Sequence, residues 1–220
     1  VVANIADEIV VLYRGRVMER GTCEQLLNRA EHPYLKALLD AVPRLHTHAG
    51  QRLTSIREIA VDASLTLDRD EADQIARCDT PTILEVKGLR KVFLTRKSGW
   101  FGGEGRQVIA VDDIGFAVAR GETMAIVGES GSGKTTVSKM IMRAVRPDAG
   151  QIIFHGVEGP VDVLALDETQ LQAFRRHIQY MFQDPFGSLD PRMTVADIVA
   201  EPLVIHGIGD EAEQAERVKK

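Results

Sequence analysis

Residues Thr123–Ala144 read TMAIVGESGSGKTTVSKMIMRA, and their interpretation decides the fold. TMAIV is a short apolar strand, GESGSGKTT a glycine-rich turn, and Val137, Met140, Ile141 and Ala144 recur at helical spacing until Pro147 and Gly150 end the helix. The turn fits G-x-x-x-x-G-K-[ST] at Gly128, Gly133, Lys134 and Thr135. Glycines without a Cβ let successive backbone N–H groups turn inward, and the following helix contributes the positive end of its dipole. Such a loop suits the triphosphate of ATP. Candidate nucleotide-binding residues are Gly128, Glu129, Ser130, Gly131, Ser132, Gly133, Lys134, Thr135 and Thr136. Lys134 would reach the β and γ oxygens as a point charge, the Thr135 hydroxyl would ligate Mg²⁺, and Thr136 would donate near the α-phosphate. The competing reading, a glycine-rich turn that only joins strand to helix, is disfavoured by the flanks, an apolar strand before the turn and an amphipathic helix after it.

Outward from the loop, ILEVKGLRKVF from Ile83 alternates like a strand, VIAVDDIGFAVARGE is a second strand and turn, and QIIFHG is a third strand. A domain boundary is expected near Pro81. At the other end, IADEIVVLYRGRVMERG (Ile5 to Gly21) reads as a hairpin turning at Gly15. EHPYLKALLDAVP then places Leu35, Leu38, Leu39 and Val42 on one helical face, with Pro33 in a first turn that tolerates its missing N–H. Arg44 to Thr80 shows no sustained period and reads as a linker with a helical turn or two.

With 220 residues and 44% apolar composition, the chain can build a packed core. Its net charge of −5 provides no basic field for nucleic acid, which is not an expected partner. Cys23 and Cys78 lack the spacing of a zinc or disulfide framework, and no apolar run approaches the ~20 residues needed to cross a bilayer. Beginning at Val1 and ending in the polar, helical EAEQAERVKK, the chain reads as a fragment.

A second constellation, RRHIQYMFQDPFGSLDPRMTV, runs as a strand into Gln183 and then a loop. The Gly128 loop, Gln183 and the FQDPFGSLDPRMTV string together resemble the ATP-binding subunits of ABC transporters, above all oligopeptide and dipeptide importers. The resemblance implies an α/β fold: a phosphate-loop ATPase core, an antiparallel β subdomain over Ile83 to Gly121, and the start of a helical subdomain after Gln183. Gln183 would approach Mg²⁺ and the attacking water, which makes Lys134 and Gln183 the catalytic candidates. Phe93 matches the family's adenine-stacking aromatic, although Trp100 and Phe101 in SGWFGGEG compete for that role, and a strand Phe is often core. The N-terminal hairpin resembles the stretch after the switch histidine of such a domain, and EHPYLKALLDAVP the extension found in peptide importers. His32 is given no catalytic role and is expected to cap or pack.

The implied order is unusual: residues 1–45 as the tail of one nucleotide-binding domain, 46–80 as a linker, and 81–220 as the head of a second. Two fused domains would explain why no internal repeat is visible. The hairpin from Ile9 to Arg20 is then expected to dock on the sheet edge of the second domain, as in a circular permutation. Implied partners are transmembrane permease subunits, another nucleotide-binding domain and, indirectly, a substrate-binding protein. The implied location is the cytoplasmic face of the plasma (inner) membrane.

The family's signature sequence, Walker B carboxylates and switch histidine are not among these 220 residues, so the piece is expected to bind ATP with Mg²⁺ without hydrolysing it. VDVLALDETQ imitates Walker B at Asp167 and Glu168, but it precedes Gln183, and Asp167 with Gln170 fits a helix N-cap and its reciprocal partner. FGGEG precedes the phosphate loop and reads as an insertion, not the signature. Two alternatives stay open: a nucleotide-binding or interaction module without catalysis, and an importer of another small cargo such as glutathione or a nickel chelate. A soluble phosphate-loop enzyme is disfavoured by the Gln183 string.

Overall fold

The structure is a computed structural model that describes residues 2–41, 80–95, 106–184 and 187–219. The linker reading, apart from its last residue, lies outside the described residues, as do Val42, Trp100 and Phe101. Contacts divide the chain into two units, Val1–Leu164 and Ala165–Lys220.

The first unit opens with a 3-10 turn at Val2–Asn4 and then the expected hairpin of β1 (Glu8–Tyr13) and β2 (Arg16–Thr22). Its turn residues Arg14 and Gly15 take φ of 47° and 81°, the paired positive values that match the twist of a two-residue hairpin. Helix α1 (Cys23–Asn28) starts on a reciprocal cap between Thr22 and Gln25. Helix α2 (Pro33–Asp40) starts at His32, whose side chain accepts the Tyr34 N–H. Ile9, Val11, Met18, Leu26, Tyr34 and Leu35 form one buried cluster, each worth roughly 1.5–3 kcal/mol of transfer free energy.

Strands β3 (Thr82–Thr95) and β4 (Arg106–Ala119) form a long antiparallel pair, interrupted by register shifts. Then follow β5 (Met124–Val127), helix α3 (Lys134–Ile141), β6 (Ala149–Gly156) and β7 (Gly159–Asp162). The antiparallel sheet is four-stranded in the order β4-β3-β6-β7. It therefore extends beyond the expected Ile83 to Gly121, because β6 returns beside β3 and β7 folds back on β6.

The second sheet, β2-β1-β5, joins the two ends of the unit. β1 lies parallel to β5, with Glu8 opposite Met124 and Val11 opposite Val127; the hairpin, expected on the sheet edge of the second domain, pairs with the phosphate-loop strand. Ile9, Val10, Val11 and Leu12 are all buried, the continuous apolar run proper to a strand flanked on both sides. The seam is fixed at several points. The Asp7 N–H donates to Thr123 O at 2.8 Å, and Asp7 Oδ2 accepts the Thr123 N–H at 2.8 Å. A buried Arg20–Glu8 ion pair at 2.9 Å lies in the hairpin, and Arg20 also donates to Ala117 O of β4. At the turn, Gly15 N–H donates to Ser132 O at 2.9 Å and Gly15 O accepts the Asp112 N–H at 2.8 Å. Arg16 reaches Asp112 at 2.7 Å beside them.

The second unit contains α4 (Glu168–Phe174), α5 (Val195–Ile205) and α6 (Glu211–Val218), which fits the start of a helical subdomain. Asp167 caps α4 reciprocally with Gln170, as expected of a structural carboxylate. The strand expected to lead into Gln183 is not formed: residues 178–184 are irregular, and Met181 is 88% exposed. A strand needs a neighbour for its ladder, and no described strand pairs with this stretch.

Gly15 meets the seam most tightly. A Cβ there would lie 2.8 Å from Ala110 O, on a backbone of φ 81°. Gly15→Ala should therefore lower unfolding free energy by at least about 1–2 kcal/mol, the ordinary cost of a left-handed non-glycine residue. Urea unfolding checks this, and an unchanged midpoint would contradict the seam.

Candidate nucleotide-binding site

The loop between β5 and α3 is shaped by three glycines in conformations that other residues avoid. Gly128, Gly131 and Gly133 have φ of 153°, 82° and 110°. At Gly128 a Cβ would stand 2.1 Å from Leu12 O, so β1 presses directly on the loop's first residue, whereas Gly131 faces open space. Ser130, Gly131 and Thr135 are exposed, Ser132 is buried, and Glu129, Lys134 and Thr136 are half-buried.

Every other α-helix described has a side-chain N-cap: Thr22, His32, Asp167, Thr194 and Asp210 each accept a first-turn N–H. Helix α3 begins at Gly133 with no side-chain cap. Its first-turn N–H groups are therefore left for an external acceptor, and an anion suits them best. Lys134 is folded back over the loop, its Nζ donating to Gly128 O at 2.8 Å, Glu129 O at 2.6 Å and Ser132 Oγ at 3.3 Å. Polyphosphate oxygens would replace these partners with stronger, charge-assisted ones. The fit to ATP is good. Among the described residues, no cluster of His, Cys, Asp and Glu is fit to hold a metal by itself. Magnesium held by the phosphates would add the exposed Thr135 hydroxyl, an oxygen donor proper to that ion.

Phe93 lies on β3 opposite Val108. Two residues further along β4, Ala110 O stands 2.5 Å from where a Gly133 Cβ would be, so the strand pair carries Phe93 toward the loop. The ring is 39% exposed, and the Lys91 ammonium sits 5.6 Å from its centre. Asp148 steadies that stretch, accepting from Val92 N–H at 2.7 Å and Lys91 Nζ at 3.0 Å, and these two bonds hold its carboxyl below the usual carboxylate range. Gln183 belongs to the second unit, on the exposed stretch after α4.

Pattern reading missed Tyr34. Helical spacing selected Leu35, Leu38 and Leu39, yet Tyr34 is the fully buried side chain of α2, and its hydroxyl accepts the Glu129 N–H at 3.1 Å. Its signal was the neighbouring His-Pro, which starts the helix and aims the next side chain back along the chain. Glu19 is a second buried group overlooked; its carboxylate accepts the N–H groups of Glu31 and His32 at 2.9 and 3.0 Å.

An uncapped helix behind a glycine loop, with a lysine at its mouth and a strand-rich sheet beside it, defines a phosphate-loop nucleotide-binding core. The sequence profile of the family described as ABC transporter matches residues 111–220, half of the chain, and that of the oligopeptide/dipeptide transporter C-terminal region matches residues 18–67. The chain belongs to the ABC transporter family. It is 41% identical to the glutathione import ATP-binding protein GsiA of Salmonella typhimurium (strain LT2) over 218 residues, covering 99% of this chain and 34% of that protein. Against GsiA of Escherichia coli (strain K12) the identity is also 41%, over 221 residues, with the same coverages. The chain thus spans about a third of the length of these relatives. A solved structure of the ATP-binding cassette MJ0796, a dimer in a post-hydrolysis state with ADP and Pi, aligns at 25% identity with a TM-score of 0.49, covering 62% of this chain and 54% of that one.

The phenol of Tyr34 titrates above its ordinary pKa of 10.0, chiefly because burial disfavours the phenolate; the Glu129 N–H works in the opposite direction. A group whose folded pKa is raised contributes stability that is complete below about pH 10 and lost as pH climbs through the folded value. Unfolding free energies from urea titrations between about pH 9 and about pH 11 should fall more steeply for the wild type than for Tyr34→Phe, by at most about 1.4 kcal/mol per pH unit. Parallel curves would contradict the burial.

Proposed function

We propose that the chain binds Mg²⁺–ATP at Gly128–Thr136 and is part of the energy-supplying subunit of an importer for small peptides, glutathione among them. The observation that carries the first half is the uncapped start of α3, with Lys134 gathered over the same loop. Bound ATP would set its phosphates on the first-turn amides and Lys134 and bring Mg²⁺ against Thr135, while Phe93 supplies a flat apolar face for the purine. Gln183 is assigned to the metal and the attacking water by its place in the family's string. Support for the cargo is the match of residues 18–67 to the oligopeptide/dipeptide transporter C-terminal region, together with relatives that import glutathione.

In the longer polypeptide we assign hydrolysis to a pair of nucleotide-binding domains that close over ATP. The permease subunits would convert that closure into transport at the cytoplasmic face of the membrane, and a substrate-binding protein would deliver the cargo. The chain alone has no signature sequence, Walker B carboxylates or switch histidine to complete the reaction, so it binds without turnover. Val195, Val199, Val204 and Ile205 leave apolar surface exposed on α5, which supports further protein packing there. Among the described residues, no helix is long and apolar enough to cross a membrane.

Calorimetry with Mg²⁺–ATP tests the reading on this chain. Lys134→Ala removes charge-assisted bonds worth about 1.5–3 kcal/mol and should weaken binding by about one to two orders of magnitude. Equal affinity in both proteins would remove the phosphate loop from the account. In the full-length protein the same substitution should abolish peptide uptake, and surviving uptake would refute the transport role.

A further inference from the structure

The N-terminal segment touches the phosphate loop through a chain of buried and part-buried hydrogen bonds that nothing in the nucleotide reading requires. Glu19 on β2 accepts the N–H groups of Glu31 and His32, at 2.9 and 3.0 Å, and so fixes the turn before α2. His32 Nδ1 accepts the Tyr34 N–H at 3.0 Å. Tyr34 packs its ring against Tyr13, with centroids 4.6 Å apart, and its hydroxyl accepts the Glu129 N–H, 95 residues away in sequence.

That last bond falls on a vulnerable peptide unit. The plane between Gly128 and Glu129 follows a glycine of φ 153°, which resists rotation less than any other residue. At present the plane is held from both sides: its N–H by Tyr34, its carbonyl, Gly128 O, by Lys134 at 2.8 Å. When Lys134 turns to a phosphate, the carbonyl side is released. The Tyr34 hydroxyl then remains to keep the plane from turning and to hold the loop's amides in their inward arrangement.

We propose that Tyr34 is a positioning residue for the phosphate loop, through which the segment from Glu19 to α2 sets the affinity for nucleotide. The inference rests on the ATP-binding reading above, and it gives the peptide-importer extension a task at the nucleotide site of the same chain.

Tyr34→Phe keeps the ring and deletes only the hydroxyl. On the whole chain, calorimetry with Mg²⁺–ATP should show about fivefold weaker binding, the effect of one lost hydrogen bond. Hydrogen exchange at the Glu129 amide should accelerate by about the same factor. A purely structural tyrosine would lower the melting temperature and leave the affinity for Mg²⁺–ATP unchanged, and that result overturns the proposal. Should Tyr34→Phe fail to fold, exchange in the unmodified chain decides: a Glu129 amide as fast as an unprotected one overturns the proposal, a protected one supports it. Wild-type binding that Lys134→Ala weakens as expected and Tyr34→Phe leaves intact sinks this inference alone. No binding by the wild type sinks the nucleotide reading and this inference with it.

Discussion

Four backbone pairs between β1 and β5 hold the rest in place. β5 is only four residues long, too short to stand as a strand without a partner on its flank. β1 supplies that partner and aims its own carbonyl, Leu12 O, at the one glycine through which β5 turns into the phosphate loop. Were that contact missing, the loop's first residue would lose the wall that fixes its direction. A single seam therefore serves two ends: it completes the sheet and shapes the anion site. The buried Arg20–Glu8 pair belongs to the same arrangement, since Arg20 also reaches the β4 backbone at Ala117 and satisfies part of its charge there.

The loop's chemistry is written into its backbone more than its side chains. Three glycines of positive φ bend it, a helix without a side-chain cap presents its amides, and the one lysine is already among the oxygens that phosphate would displace. The carboxylate of Asp167 shows the contrast. It also stands at a helix start, but it satisfies the first turn itself and so leaves no room for an anion.

Much of this was legible before any coordinates. The phosphate loop is a local motif whose spacing carries its mechanism. The hairpin was legible because Gly15 separates two apolar runs, and its docking followed from the family resemblance of the two chain ends. Tyr34 escaped because its value comes from a contact 95 residues away, which periodicity cannot register. The strand before Gln183 was over-read for the opposite reason: IQYMF has strand-like composition, but composition does not provide the neighbour a ladder needs. Glu19, inside an exposed-looking MERG, is buried because two amides of the next turn come to it.

The β1–β5 pairing also has a temporal meaning. Asp7 and Thr123, which open the ladder, are 116 residues apart, so a ribosome adding about 5–20 residues per second needs roughly 6–23 s to deliver the second strand after the first. Over that interval the apolar run Ile9–Leu12 has been synthesised while its mate has not. The nascent chain must be sheltered or must find a temporary companion during those seconds, and the order of synthesis therefore becomes part of how this nucleotide site is assembled.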